Sequence, residues 1–171
     1  KINTLAWARL DLDLDTGEAL IEEVQSDWAR HVSDDAKLIK NRVKKAADKK
    51  EYFDWNKPFY KHCSYKSFLE YYTKYCEAHV KLWQEAIVAA TIWFLRNELG
   101  IRRIFYHHYE TSLKLKQLQD WKPPRSIYTK LPKRFCFQLT KDYPSFLEKD
   151  IRHRLKKELR KDEVRFYKLE F

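Results

Sequence analysis

EALIEEVQSDW, residues 18–28, is the stretch from which the fold is read. Ala19-Leu20-Ile21 and Val24 make a short apolar run of strand type, and Gln25-Ser26-Asp27 ends it. Working back, TLAWARLDLDL carries Ala6, Ala8, Leu10, Leu12 and Leu14 at period two, and Asp15-Thr16-Gly17 supplies the turn. The two halves therefore predict a β-hairpin that delivers Glu22-Glu23-Val24-Gln25-Ser26-Asp27-Trp28 at the end of an ordered strand. Acidic residues are depleted in strands and buried carboxylates need partners. Two adjacent glutamates followed by Gln, Ser, Asp and Trp accordingly mark a candidate site. Strict alternation along a strand lets only one of Glu22 and Glu23 face any given side, and the one on the side of Gln25 is Glu23.

Working forward, Ser33 with Asp34 and Asp35 reads as an N-cap and acidic first turn of a helix running to about Lys50. Its exposed side carries Lys40, Lys44 and Lys45, a candidate phosphate-contacting face. Together with the aromatic loop Glu51 to Lys66, this makes residues 31–66 an inserted basic helix and loop. From Ser67 to Leu99, Phe68, Tyr72, Tyr75, Cys76, His79, Val80, Trp83, Ile87, Thr91, Phe94 and Leu95 recur every three or four residues and predict a long core helix, with His79 a core histidine. Gly100 ends it, and Ile101 to Tyr106 resumes as a strand expected to share a sheet with the hairpin.

That strand runs into His107-His108-Tyr109-Glu110, where Tyr109 and Glu110 are further candidate binding residues, since the ends of strands before a helix are where α/β ligand sites lie. A metal site is not expected: adjacent histidines on a strand point to opposite faces, and no spaced ligand motif is present. A short helix from Ser112 to Gln119, a helical turn at Tyr128, a strand from Arg134 to Leu139, a basic helix from Phe146 to Arg160 and a closing strand from Glu163 to Phe171 complete the reading. The basic helix contributes Arg152, Lys156 and Arg160 to the candidate nucleic-acid contacts.

The whole is expected to be a single α/β domain (α+β being the other option) with a mixed sheet and a long central helix. Its 27 aromatic side chains (Trp 6, Tyr 11, Phe 10) can fill a core. The opening at Lys1 suggests a fragment of a longer protein. Cys63, Cys76 and Cys136 lack metal or dithiol spacing and read as reduced packing thiols of a cytoplasmic protein. No membrane span is expected, because the longest apolar run, Ala86 to Leu95, is too short. The net charge of +10 is uneven: residues 1–30 balance at −4 and residues 111–171 at +9. A basic face opposite an acidic site suits a polyanion, so DNA or RNA is a candidate partner.

IEEVQSDW (21–28), WQEA (83–86), the strand after Gly100 and IYTKLPKRF (127–135) are similar in order to a domain of large phage and mobile-element (polyvalent) proteins. There a strand reading EEIQSDW is followed by a helix opening on Trp, a strand and YDKILPK. The resemblance covers about Leu5 to Phe137 and implies kinship rather than an activity. The order of elements also resembles the GNAT acetyltransferase fold. In that family the tyrosine of an LYEKLGF pattern protonates the departing thiolate of coenzyme A, and SIYTKLPKRF places Tyr128 similarly. A strand-borne glutamate acts there as base for the amine, a role that falls to Glu22 or Glu23, with Glu23 the candidate. The implied cofactor is acetyl-CoA or another acyl-CoA. The family's Q/R-x-x-G-x-G/A pyrophosphate loop is absent, because Gly17 lies in the hairpin and Gly100 after the helix. The competing expectations are a nucleic-acid-binding module built on the basic helices and aromatics, and a non-catalytic structural domain.

Overall fold

A computed structural model describes residues 4–49, 64–116, 122–155 and 164–171. The fold is mixed α/β, with a five-stranded mixed sheet and a long helix. The chain divides into two compact units, a helical one (Lys1–Ala6 with Ser26–Trp83) and a sheet one (Trp7–Gln25 with Gln84–Phe171). No helix among the described residues is long and apolar enough to cross a membrane.

In the sheet unit, β1 (Trp7–Asp13) and β2 (Glu18–Gln25) form the expected hairpin. The Asp13 carboxylate accepts from the amides of Asp15 and Thr16, and Gly17 takes the left-handed φ of +66° that the turn requires. β2 then pairs in parallel with β3 (Arg103–His107). β4 (Gln138–Thr140) and β5 (Phe166–Glu170) pair antiparallel, and β5 also pairs antiparallel with β3. The strand order is β1-β2-β3-β5-β4. The terminal strand is thus interior to the sheet.

Consecutive residues of β2 (Glu18 to Ile21) and β3 (Ile104 to His107) are buried, the mark of strands covered on both faces. On one face Leu20, Phe105 and Phe166 pack with Ile151 and Val164. β1 is an edge strand, and its apolar alternation is only partly covered: Ala8 and Leu10 are half-buried between the exposed Arg9 and Asp11, whereas Leu12 and, past the strand, Leu14 are 43% and 65% exposed, and the register shifts between Arg9 and Leu10.

In the helical unit, α1 (Asp27–Lys49) begins six residues before the expected cap. Ser26, not Ser33, holds the helix start, its hydroxyl accepting from the Ala29 amide. Ser33 to Asp35 lie inside the helix. Val32, Ala36 and Ile39 pack against Phe68, Tyr72 and Cys76 of the second helix. That helix comprises α2 (Tyr65–Tyr71), a π turn (Tyr72–Cys76) and α3 (Glu77–Trp93), and runs through a second π turn (Phe94–Glu98) to Gly100. The wider turns move the buried face, so His79, Tyr75 and Phe94, expected in the core, are exposed.

After β3 come α4 (Tyr109–Leu115), which starts three residues before the expected Ser112, a 3₁₀ turn (Arg125–Tyr128), α5 (Leu131–Arg134) and α6 (Glu148–Leu155). The expected strand from Arg134 is displaced to β4 because Pro132 opens a helical turn there. The turn closes through Cys136, which takes φ +62° and is exposed rather than packed. Cys76 is buried; Cys63 and residues 51–63 of the expected Glu51 to Lys66 loop lie outside the described residues, while Tyr65 and Lys66 already belong to α2, capped by Ser64.

Candidate functional site at the ends of the parallel strands

The pairing of β2 with β3 stops at Ile21 and Tyr106, and each strand continues beyond it. β2 stays paired only with β1, but through a bulge: Arg9 stands opposite Glu23 and Leu10 opposite Ile21, so Glu22 has no partner in the ladder. The bulge overrides the strict alternation expected of Glu22 and Glu23. The Arg9 guanidinium pairs with Glu22 and lies 3.0 Å from a Glu23 carboxylate oxygen. Lys116, just past α4, donates to the Glu22 backbone oxygen at 2.8 Å and lies 2.8 Å from its Oε1. Burial alone would raise the Glu22 pKa, but hydrogen bonds and charge from Arg9 and Lys116 outweigh it and hold the carboxyl below its ordinary value.

Tyr128 is 3% exposed, on the 3₁₀ turn. Its ring meets Tyr106 edge-on at 6.0 Å and Tyr109 at 6.3 Å. Burial first, then the charge of Glu23, push the phenol up to about 12. The Ser112 hydroxyl opposes part of that rise. Glu110 is exposed and pairs with Arg125 at 3.3 Å, and the Arg125 guanidinium lies 5.1 Å from the Tyr109 ring centroid. The structure thus brings together Glu22, Glu23, Tyr109, Glu110 and Tyr128 around the diverging strand ends.

Two histidines border the site. His107 is fully buried against Phe166, at 5.3 Å between rings, and burial drives its pKa down to about 3, with Lys116 adding to the effect. His108 is half-buried, with its ring 5.9 Å from Tyr167, and burial also lowers its pKa. Among the described residues, the Tyr106 hydroxyl, Ser112 Oγ and the Nδ1 atoms of His107 and His108 are buried with no hydrogen-bond partner. No three His, Cys, Asp or Glu side chains among the described residues are grouped as metal ligands require.

The remaining candidates lie elsewhere. Gln25 is half-buried at the end of β2, opposite Trp7. In the helical unit Ser26 caps α1, Asp27 pairs with Arg30 at 2.7 Å, and Trp28 packs on the helical core. Lys40, Lys44 and Lys45 are exposed on α1, with Lys40 Nζ 5.3 Å from the Tyr72 ring centroid. Arg152 is exposed and paired with Glu148; Lys156 and Arg160 lie outside the described residues. Sequence reading missed Arg9, Lys116, Tyr106 and Ser112. Only Arg9 had a signal, its place across the hairpin from the glutamates. Compared with known proteins, the chain gives no significant match to any family model, curated protein or solved structure.

Proposed function

We propose that the sheet unit is an acyltransferase-like domain related to the GNAT enzymes, of the kind found in phage and mobile-element proteins. The observation that carries this reading is the buried Tyr128, whose ring packs on Tyr106 of β3 and whose phenol feels the charge of Glu23, where the parallel strands β2 and β3 part. A phenol with a pKa of about 12 is a donor at neutral pH, as a leaving thiolate requires. Glu23, 22% exposed in its side chain, is the base within reach of solvent-borne amines. The order β1-β2-β3-β5-β4, with a single parallel pair, supports the relationship.

The acyl donor is a coenzyme A thioester, here a substrate. No glycine loop is present for its pyrophosphate, and the start of α1 is capped by its own Ser26. The phosphates therefore fall to basic side chains.

The test is transfer from acetyl-CoA to a panel of amines, run with a thermal shift by coenzyme A. Glu23→Gln and Tyr128→Phe are each expected to lower kcat by about a hundredfold with the melting temperature held. Full activity in both variants would remove their roles.

A second reading concerns the helical unit, where the exposed Lys40, Lys44 and Lys45 cluster away from the acids at the start of α1. On this reading the unit binds nucleic acid. Affinity for a short DNA or RNA is then expected to fall steeply with salt, and replacing the three lysines by glutamine should reduce the slope by about three. A flat salt dependence would exclude it.

A further inference from the structure

Two tyrosines of the helical unit are turned out of its core. Val32, Ala36 and Ile39 of α1 close on Phe68, Tyr72 and Cys76, yet Tyr71 and Tyr75 stay 54% and 53% exposed. The π turn at Tyr72–Cys76 is the cause: its wider winding keeps both its end residues against α1 and sends their neighbours outward. Such turns are frequent at functional sites. Here the pair sent outward is aromatic, with ring centroids 5.5 Å apart and planes tilted by 42°.

Cations border these rings. Lys74 Nζ stands 5.1 Å from the Tyr75 centroid, and Lys40 reaches from α1 to 5.3 Å from the ring of Tyr72, the residue after Tyr71. Lys44 and Lys45 continue the basic row along the exposed side of α1. Two acids lie near: Glu77 is engaged by Lys81 at 3.0 Å, and Glu70 is exposed one turn before Lys74. The centre of a protein–protein interface is poor in lysine, so rings bordered by lysines do not suit one. A duplex needs the charge but has no use for the rings, because its bases already stack on one another. Unpaired bases use both, stacking on aromatic faces while their phosphates meet the cations.

We infer that Tyr71 and Tyr75 form a stacking platform for single-stranded nucleic acid, with Lys74 and Lys40 on its phosphates, an inference that rests on the nucleic-acid reading of the helical unit. On binding, a base replaces Lys74 over the Tyr75 ring, and the released ammonium meets the adjoining phosphate. A second base covers Tyr71. Every base has a π-face, so the platform tolerates any sequence.

The test measures binding of the full chain to a short oligothymidylate and to a duplex of equal length, by fluorescence anisotropy across a salt series. The single strand is expected to bind about tenfold more tightly than the duplex. Tyr71→Ala and Tyr75→Ala should each weaken the single strand about tenfold and leave the salt slope unchanged, whereas Tyr→Phe at either position keeps the affinity. Lys74→Gln should lower the slope by about one. Both tyrosines are more than half exposed, so their truncation leaves the packed face of the helix in place. In a second arm, a 2-aminopurine within the oligonucleotide is expected to lose fluorescence on binding the parent chain and to keep it with the double alanine variant, a signature that only stacking gives.

Alanine variants that bind and quench as the parent does would overturn the inference. If single strand and duplex bind alike and only the lysine variants change the slope, the nucleic-acid reading stands and the platform falls. If neither binds, both fall. A concentration-dependent dimer of the parent chain, lost in the alanine variants together with no effect on oligonucleotide binding, would assign the face to a second copy instead.

Discussion

Lys116 and Glu22 are joined twice, through the glutamate's backbone oxygen and its carboxylate, each 2.8 Å from the ammonium. The bulge removes Glu22 from the β1 ladder, and a residue 94 positions away answers for its carbonyl. Both side chains are largely buried, so breaking the pair strands a charge and a carbonyl together. Lys116→Met, which keeps the aliphatic stem, is expected to cost about 2–4 kcal/mol in urea unfolding. A loss below about 0.5 kcal/mol would show that water serves the bulge equally well.

His107 makes stability depend on acidity. Its folded pKa of about 3 lies below the ordinary value of 6.5, so below pH 6.5 the unfolded chain binds a proton that the folded one does not. The stabilisation is complete above about 6.5 and is lost as pH falls toward 3. Between pH 7.5 and 5 the loss is about 2 kcal/mol. His107→Phe should flatten this part of the stability curve, read by denaturant unfolding across pH. An unchanged slope would assign the acid sensitivity to other groups, Glu22 among them at still lower pH, since its depressed pKa gives stability that is lost as pH falls through the folded value.

Cys136 occupies the left-handed position after α5, where the amides of Cys136 and Phe137 bond back to the carbonyls of Lys133 and Pro132 at 3.2 and 3.1 Å. That closing pattern favours glycine. Cys136→Gly is expected to stabilise the protein by about 0.5–1 kcal/mol, relieved backbone strain exceeding the extra freedom of the unfolded chain. Calorimetry reads it as a higher melting temperature. Cys136→Val should lower it.

Glu18 is a buried carboxylate, 3% exposed, with a structural duty. It accepts from the Ser145 amide at 2.8 Å and hydroxyl at 2.7 Å, and meets Arg103 at 3.3 Å. It thereby anchors the turn leading into α6 to the first residue of β2. Glu18→Ala is expected to cost about 3–5 kcal/mol, whereas Ser145→Ala, which spares the amide bond, should cost about 1 kcal/mol. Equal effects would show that the hydroxyl carries the anchor.

What could be read from sequence was what is local. The hairpin, the succession of helix, Gly100 and β3, the turn bearing Tyr128 and the terminal strand all announce themselves by period and by turn residues. The start of α1 was misread because Ser33-Asp34-Asp35 and Ser26-Asp27 are equally good caps, and only the point where β2 stops decides between them. The bulge was hidden because register belongs to two strands at once, and it is what lets Arg9 meet both glutamates. The π turns shifted the face of the long helix and put His79 and Tyr75 outside. Of the candidate site, Glu22, Glu23 and Tyr128 came from local motif, while Lys116, Ser112 and Tyr106 came only from folding.

The position of β5 carries a cost in time. β5 follows β4 in the chain yet sits between β3 and β4, and among the described residues it is the one strand that pairs with β4. While the ribosome has delivered β3 but not Glu170, the β3 edge through Ile104, Phe105 and Tyr106 stays open, an apolar template on which another chain can dock. Deleting Phe166–Glu170 would make that passing hazard permanent, so the truncated chain should aggregate rather than unfold quietly.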